Sequence, residues 1–231
     1  MIMDNIKVIA HIYTDFDEKF GIPRQSGIVK QCRGRIVFEP EYRNVDALDG
    51  LEGYSHLWLV WKFSESVREE WSPTVRPPRI GGNKRVGVFA TRSPFRPNPM
   101  GLSCVKLEQV SLDGADGPEL IVSGVDMLNG TPIYDIKPYL SYTDSHPDAV
   151  CGFADAVRDY GLEVLIDDEH ASLLDDESLA ALKELLSQDP RPGYRHDGAD
   201  EDRIYGMSYA GCNIKFCVKG RVLSVTEINR A

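Results

Sequence analysis

The densest chemically unusual segment is Arg92-Ser93-Pro94-Phe95-Arg96-Pro97-Asn98-Pro99-Met100-Gly101. Pro94, Pro97 and Pro99 fix their own φ and restrict the residues before them, so this loop loses much of its freedom before folding. Such stiffness would hold Arg92, Ser93, Arg96 and Asn98 in place, and together they offer many donors to a carboxylate, a phosphate or a nucleobase edge. Gly101 permits close backbone approach or positive φ. The plainer alternative is a rigid exposed turn whose arginines face water.

A second cluster is Asp135-Ile136-Lys137-Pro138-Tyr139-Leu140-Ser141-Tyr142-Thr143-Asp144. It gathers acid, base and aromatic groups near a strand end. Aromatic rings can stack on adenine or face a sulfonium cation, and a carboxylate can hydrogen-bond a ribose. A surface hairpin with an internal Asp–Lys pair is the competing reading. The third segment, Gly21-Ile22-Pro23-Arg24-Gln25-Ser26-Gly27, is a Gly- and Pro-bounded turn presenting Arg24 and Gln25. His56 reads as a structural histidine more than as a catalyst.

The elements that must position these groups read as strands. Residues 6–13, 26–38, 54–63, 84–90, 102–110 and 119–126 are short, rich in β-branched or aromatic residues and separated by Gly, Pro, Asp or Asn. Alternation in 54–63 puts Leu57, Leu59, Trp61 and Phe63 on one face, and Tyr54, His56, Trp58, Val60 and Lys62 on the other. Without regularly spaced helices between strands, the first 140 or so residues predict a barrel or curled antiparallel sheet. Residues 172–188 predict a short helix followed by Pro190, and 203–228 give a second β cluster. The expected architecture is mainly β: a β-barrel N-terminal domain (1–150) and a smaller α+β C-terminal domain (151–231).

The 231 residues carry a net charge of −10, with 42% apolar and 27% charged residues, which points to a folded globular protein. The charge is uneven. From Arg76 to Arg96 there are six bases (Arg76, Arg79, Lys84, Arg85, Arg92, Arg96) and no acid, and Lys19 to Arg35 is a second acid-free run. Exposed charges act over roughly 8 Å at physiological salt, so such patches can hold an anionic partner on an acidic protein, unless they are ordinary solvated faces. The apolar runs are too short for a membrane span and the N-terminus is unlike a signal peptide, so a cytoplasmic protein is expected. Five scattered cysteines lack C-x-x-C spacing, so neither a zinc site nor a disulfide framework is expected, and most should be buried core residues. Rossmann, P-loop and nucleophile-elbow signatures are absent from the sequence.

The segments KFGIPRQSG, YSHLWLVWKF, VGVFATRSPFRPNPMGLS and DIKPYLSYTDSHPDA, followed by DPRPGYR and YGMSYAGCNIKFCV, resemble the TsaA-like (YaeB-like) family of tRNA N6-threonylcarbamoyladenosine methyltransferases over nearly the whole chain. The resemblance implies a β-barrel domain that uses S-adenosylmethionine, as a homodimer without a metal, to methylate N6 of threonylcarbamoylated adenosine beside the anticodon. Carried over by motif, cofactor binding falls to Arg24, Gln25, Arg92, Ser93, Phe95, Arg96, Asn98, Gly101, Asp135, Lys137 and Tyr139. Asp135 and Tyr139 are the candidate catalytic residues. Arg76, Arg79, Lys84 and Arg85 are expected to hold phosphates of the tRNA anticodon arm, with Trp71 or Phe95 available to stack on a splayed base. Family members often have proline where Ser26 and Ser141 stand here. A non-catalytic RNA-binding adaptor, and a methyltransferase for another nucleotide or small molecule, are the alternative functions.

Overall fold

The computed structural model describes residues 6–65, 70–77, 84–191 and 203–230. Its strands are β1 (Ala10–Thr14), β2 (Arg33–Phe38), β3 (His56–Lys62), β4 (Thr74–Val75), β5 (Val86–Gly87), β6 (Met100–Ser111), β7 (Glu119–Ser123), β8 (Thr131–Pro138), β9 (Glu163–Leu165), β10 (Tyr205–Tyr209), β11 (Cys212–Lys219) and β12 (Val222–Arg230). The helices are α1 (Ser141–Asp144), α2 (Asp168–Ala171) and α3 (Asp176–Ser187).

Six strands close an antiparallel barrel in the order β1-β2-β7-β6-β3-β8. Period-two patterning drives the closure. Leu57, Leu59 and Trp61 of β3 point inward with Ala10, Ile12, Ile36, Val105, Leu120, Val122 and Ile133, all nearly or wholly out of water. Burying side chains of this size contributes about 1.5–3 kcal/mol each. A polar chain runs through this core: the Trp61 indole donates to Ser103 Oγ at 2.9 Å, and that hydroxyl donates to Asp126 Oδ1 at 2.6 Å.

The barrel was expected, but its sixth strand was not. β8 carries Pro132 and Pro138 near its ends and Asp135 and Lys137 in its middle, so no clean alternation marks it and the sequence points only to a strand end there. The expected strand over 26–38 starts only at Arg33, because Gly27 (φ +75°) keeps the preceding residues in a turn.

Two compact units divide the chain: residues 1–15, 24–67 and 98–145 form the barrel, and residues 16–23, 68–97 and 146–231 form the second. Within the second unit, β10, β11 and β12 make an antiparallel meander, and the unexpected β9 pairs in parallel with β12. α3 buries Ala181, Leu182, Leu185 and Leu186, while Asp175 caps it by accepting from Ser178 N. Phe16 and Phe20 lie against Tyr209 and Phe216, with ring centroids 5.9 and 6.3 Å apart. Gly21 has φ +92° and no room for a side chain, since a Cβ there would stand 2.4 Å from Met207 Cε. The turn after α3 holds a buried pair: Arg191 donates to both oxygens of Asp189 at 2.8 and 2.9 Å, and the Tyr160 hydroxyl donates to the same carboxylate at 2.8 Å.

All five cysteines are free thiols, but only Cys32 and Cys212 are fully buried. The expectation that most are core residues is corrected: Cys104 and Cys217 lie on half-covered strand faces, and Cys151 is exposed. No helix among the described residues is long and apolar enough to cross a membrane.

Candidate active site

β8 reaches the site through an irregularity. Its register against β3 pairs Trp61 with Ile133 but Val60 with Asp135, leaving Tyr134 as an extra residue. Ile133 points into the core, so regular alternation would send Asp135 inward too. The bulge resets the parity, and Asp135, Lys137 and Tyr139 stand in one row on the outside of the barrel. Beside them on β3 runs the outward row Val60, Trp58 and His56, and beside that on β6 the row Leu102, Cys104 and Lys106.

These neighbours fix one another. The Trp58 indole donates to Asp144 Oδ2 at 2.8 Å, and the same oxygen accepts from Leu140 N at 3.0 Å, tying α1 to the barrel wall. The Tyr139 ring sits 5.8 Å from Trp58 and 6.1 Å edge-on from His56, centroid to centroid. Lys137 Nζ and Asp135 Oδ2 are 2.8 Å apart, and Asp135 Oδ1 also accepts from Ile136 N at 3.0 Å. That hydrogen bond and the carboxylate charge hold the Lys137 ammonium above its ordinary pKa. Half-burial, with the nearby Asp144 charge, pushes the Cys104 thiol up. His56 shares a hydrogen bond with the Ser55 hydroxyl at 2.9 Å, in keeping with a structural role.

Ser26 brings the Arg24–Gln25 turn to the same wall. Its hydroxyl accepts from Cys104 N at 3.1 Å, at the edge of β6 where β7 is not yet paired, and Gly27 N donates to Gly124 O at 2.8 Å. Gln25 donates to the Arg24 carbonyl. The turn, Cys104, Trp58 and Lys137 therefore follow one another across three strand spacings of about 4.8 Å each, roughly 14 Å in all. Asn98 stands where the chain enters β6, at the Asp135 end of the wall, and Pro99 O accepts from Phe63 N at 3.0 Å. Gly101 is a glycine because of Trp61: a Cβ there would lie 2.1 Å from the indole Cε2.

Arg92, Ser93, Phe95 and Arg96 belong to the second unit. Their loop is held by its own hydroxyls as well as its prolines. Thr91 Oγ1 accepts from Ser93 N at 3.2 Å, Ser93 Oγ accepts from Phe95 N at 3.3 Å, and the Arg96 guanidinium donates to Thr91 O at 3.3 Å. Arg92 is exposed and Phe95 half-buried. Arg76, Lys84 and Arg85 are exposed around the β4–β5 pair, whereas Arg79 lies outside the described residues. No group of three or more His, Cys, Asp or Glu able to hold a metal ion occurs among the described residues.

The residue that sequence reasoning overlooked is Trp58. The signal was present: strict alternation left a tryptophan on the outward, more polar face of β3, between His56 and Val60.

Two family models match this chain. The tRNA-methyltransferase O N-terminal domain covers residues 11–145, and the TrmO C-terminal domain covers residues 159–231. The chain belongs to the tRNA-methyltransferase O family. It is an enzyme of that family, as the motifs led us to expect. Among similar proteins, the tRNA (adenine(37)-N6)-methyltransferase of Escherichia coli is 40% identical over 216 residues, 91% of each chain. A protein of Pseudomonas aeruginosa named putative S-adenosylmethionine-dependent methyltransferase RcsF is 40% identical over 88% of this chain and 87% of its own. A crystal structure of TrmO from Pseudomonas aeruginosa superposes with a TM-score of 0.77 at 32% identity, covering 100% of this chain and 99% of that one.

Proposed function

We propose that this chain transfers the methyl group of S-adenosylmethionine to N6 of adenine 37 in tRNA, with the threonylcarbamoylated adenosine as its substrate. What carries the reading is that both tRNA-methyltransferase O domain models match, in order and over most of the chain. The barrel wall supports it. A sulfonium donor bearing adenine and ribose needs an aromatic face, a carboxylate and hydrogen-bond donors, and Tyr139 beside Trp58, Asp135, and the Arg24–Gln25 turn supply those types. Asn98, Gly101 and Lys137 complete the proposed cofactor set on the barrel, and Arg92, Ser93, Phe95 and Arg96 are proposed as cofactor-binding residues from their motif alone.

Bound there, S-adenosylmethionine supplies an electrophilic methyl and departs as a neutral thioether. The acceptor nitrogen carries a carbonyl substituent, so its lone pair is a poor nucleophile until its proton leaves. Asp135 accepts that proton while Tyr139 aligns the base, and Lys137 anchors the carboxylate through its second oxygen. Arg76, Lys84 and Arg85, with Arg79, hold phosphates of the anticodon arm. Residues 1–150 form the methyl-transfer domain, residues 151–231 orient the substrate or support a homodimer, and the protein works in the cytoplasm.

An RNA-binding adaptor would share the basic patch without the chemistry. S-adenosylmethionine without RNA should raise the melting temperature of this protein. Asp135→Asn, which removes a carboxylate of the proposed cofactor set, should shrink that shift and lose at least about 100-fold in kcat at saturating cofactor. The absence of any cofactor-dependent shift in the wild type would favour the adaptor, and full activity in Asp135→Asn would remove Asp135 as the base.

A further inference from the structure

Two large aromatic side chains of the second unit stand in solvent. Trp71 is 49% and Phe89 73% exposed, and their rings are nearly parallel, 25° apart with centroids separated by 6.2 Å. The local fold explains their position. Val88 N donates to Pro73 O at 3.0 Å, extending the β4–β5 register by one pair, and the turn Val88–Ala90 then buries Val88 and turns Phe89 outward. Two stacked aromatics left in water are unfavourable for a free monomer, because each exposes an area that folding would otherwise cover.

The same hairpin carries an unbalanced charge. The register ends on the pair Val75 and Val86, and Arg76 and Arg85 are the residues that flank that last pair, with Lys84 next in line. Like charges gathered this closely repel one another. Among the described residues no carboxylate pairs with them: residues 76–96 contain no acid, and Arg85 donates to the Thr74 hydroxyl at 3.5 Å. A ligand that suits the hairpin must bring both a planar apolar face and negative charge. An unstacked nucleotide of single-stranded RNA has both.

We infer that Trp71 and Phe89 form a stacking platform for an unpaired base of the RNA substrate, with Arg76, Lys84 and Arg85 holding the adjoining phosphates. This rests on the tRNA reading above and names the part of the protein that grips the splayed loop. A base cannot enter between the rings, which are closer than the roughly 7 Å that two van der Waals contacts require. It stacks on an open face of the pair. The ring contacts are insensitive to salt, whereas the cations set the salt dependence of affinity.

The test uses the full chain and an anticodon stem-loop RNA with 2-aminopurine in its loop, following fluorescence quenching and affinity across salt concentrations. Trp71→Ala and Phe89→Ala should each weaken binding roughly 5- to 100-fold and reduce quenching, with the slope of log affinity against log salt unchanged. Phe89→Tyr should restore binding and Phe89→Leu should not. Lys84→Ala should flatten the slope and leave the quenching of bound RNA intact. Because both aromatics are exposed, folding is checked by the cofactor-dependent melting shift, which the variants should retain. Wild-type affinity in the alanine variants, or rescue by Phe89→Leu, overturns the platform while leaving methyl transfer standing. A change of oligomeric state with RNA affinity unaltered also overturns it and assigns the pair to contact with a second copy. A wild type that binds and quenches the loop but never methylates it upholds the platform and overturns the enzymatic reading, and a wild type that binds no RNA overturns both.

Discussion

Asp135, Lys137 and Tyr139 stand out in the sequence because charged and aromatic types crowd together near a strand end, and the structure sets them in one row on the barrel wall. Which way they face was not legible, because one extra residue at Tyr134 decides it and no alternation rule announces a bulge. Gly101 is expected to permit a close approach or a positive φ. The group that approaches is the Trp61 ring, which fills the space a Cβ would take, a contact between strands that only register reveals. In DPRPGYR, Asp189 is 1% and Arg191 5% exposed, and each satisfies the other. Asp189→Ala would leave a guanidinium buried without its counter-charge, so it should cost about 3–5 kcal/mol in urea unfolding. A loss below about 1 kcal/mol would show that water reaches Arg191.

Among the elements, strands with clean alternation such as β3 and β11 could be read from the sequence, whereas β8 and β9 could not. β8 hides behind its prolines and its charged Asp135 and Lys137, and β9 has three residues and a partner some sixty positions away in the chain. The two serines that replace family prolines have local explanations. Ser141 is the first residue of α1, a position that accepts proline readily, and Ser26 uses its hydroxyl to bond the β6 backbone. β6 has a bulge of its own at Glu108, which is stapled by Lys106 and by the Ser123 hydroxyl at 2.6 Å. Hydrogen bonds from Lys106 and Ser123 hold the Glu108 carboxyl below its ordinary pKa. A depressed carboxylate contributes fully above the usual carboxylate range and loses that contribution as pH falls through its folded-state value. Glu108→Gln should therefore be less stable at neutral pH, and the gap from wild type should narrow as the pH drops below about 4. A gap independent of pH would mean that the staple works by shape alone.

For the molecule as a whole, composition anticipates a folded globular protein, the strand-like segments a mainly β one, and the charge distribution two acid-free basic runs on an acidic chain. Residues 151–231 carry sixteen acids against nine bases, so phosphate contacts are expected on the Arg76–Arg96 run instead. Segments 16–23 and 68–97 join the C-terminal residues in the second unit. No sequence signal marks this, because the relevant partners of Phe16 and Phe20 are nearly two hundred residues away. Purified protein is incubated with labelled S-adenosylmethionine and tRNA that either carries or lacks the threonylcarbamoyl group, and the RNA is digested to nucleosides. The account predicts label on N6 of the threonylcarbamoylated adenosine at position 37 and almost none on unmodified tRNA. Equal labelling of both tRNAs, or label on any other atom, would contradict it.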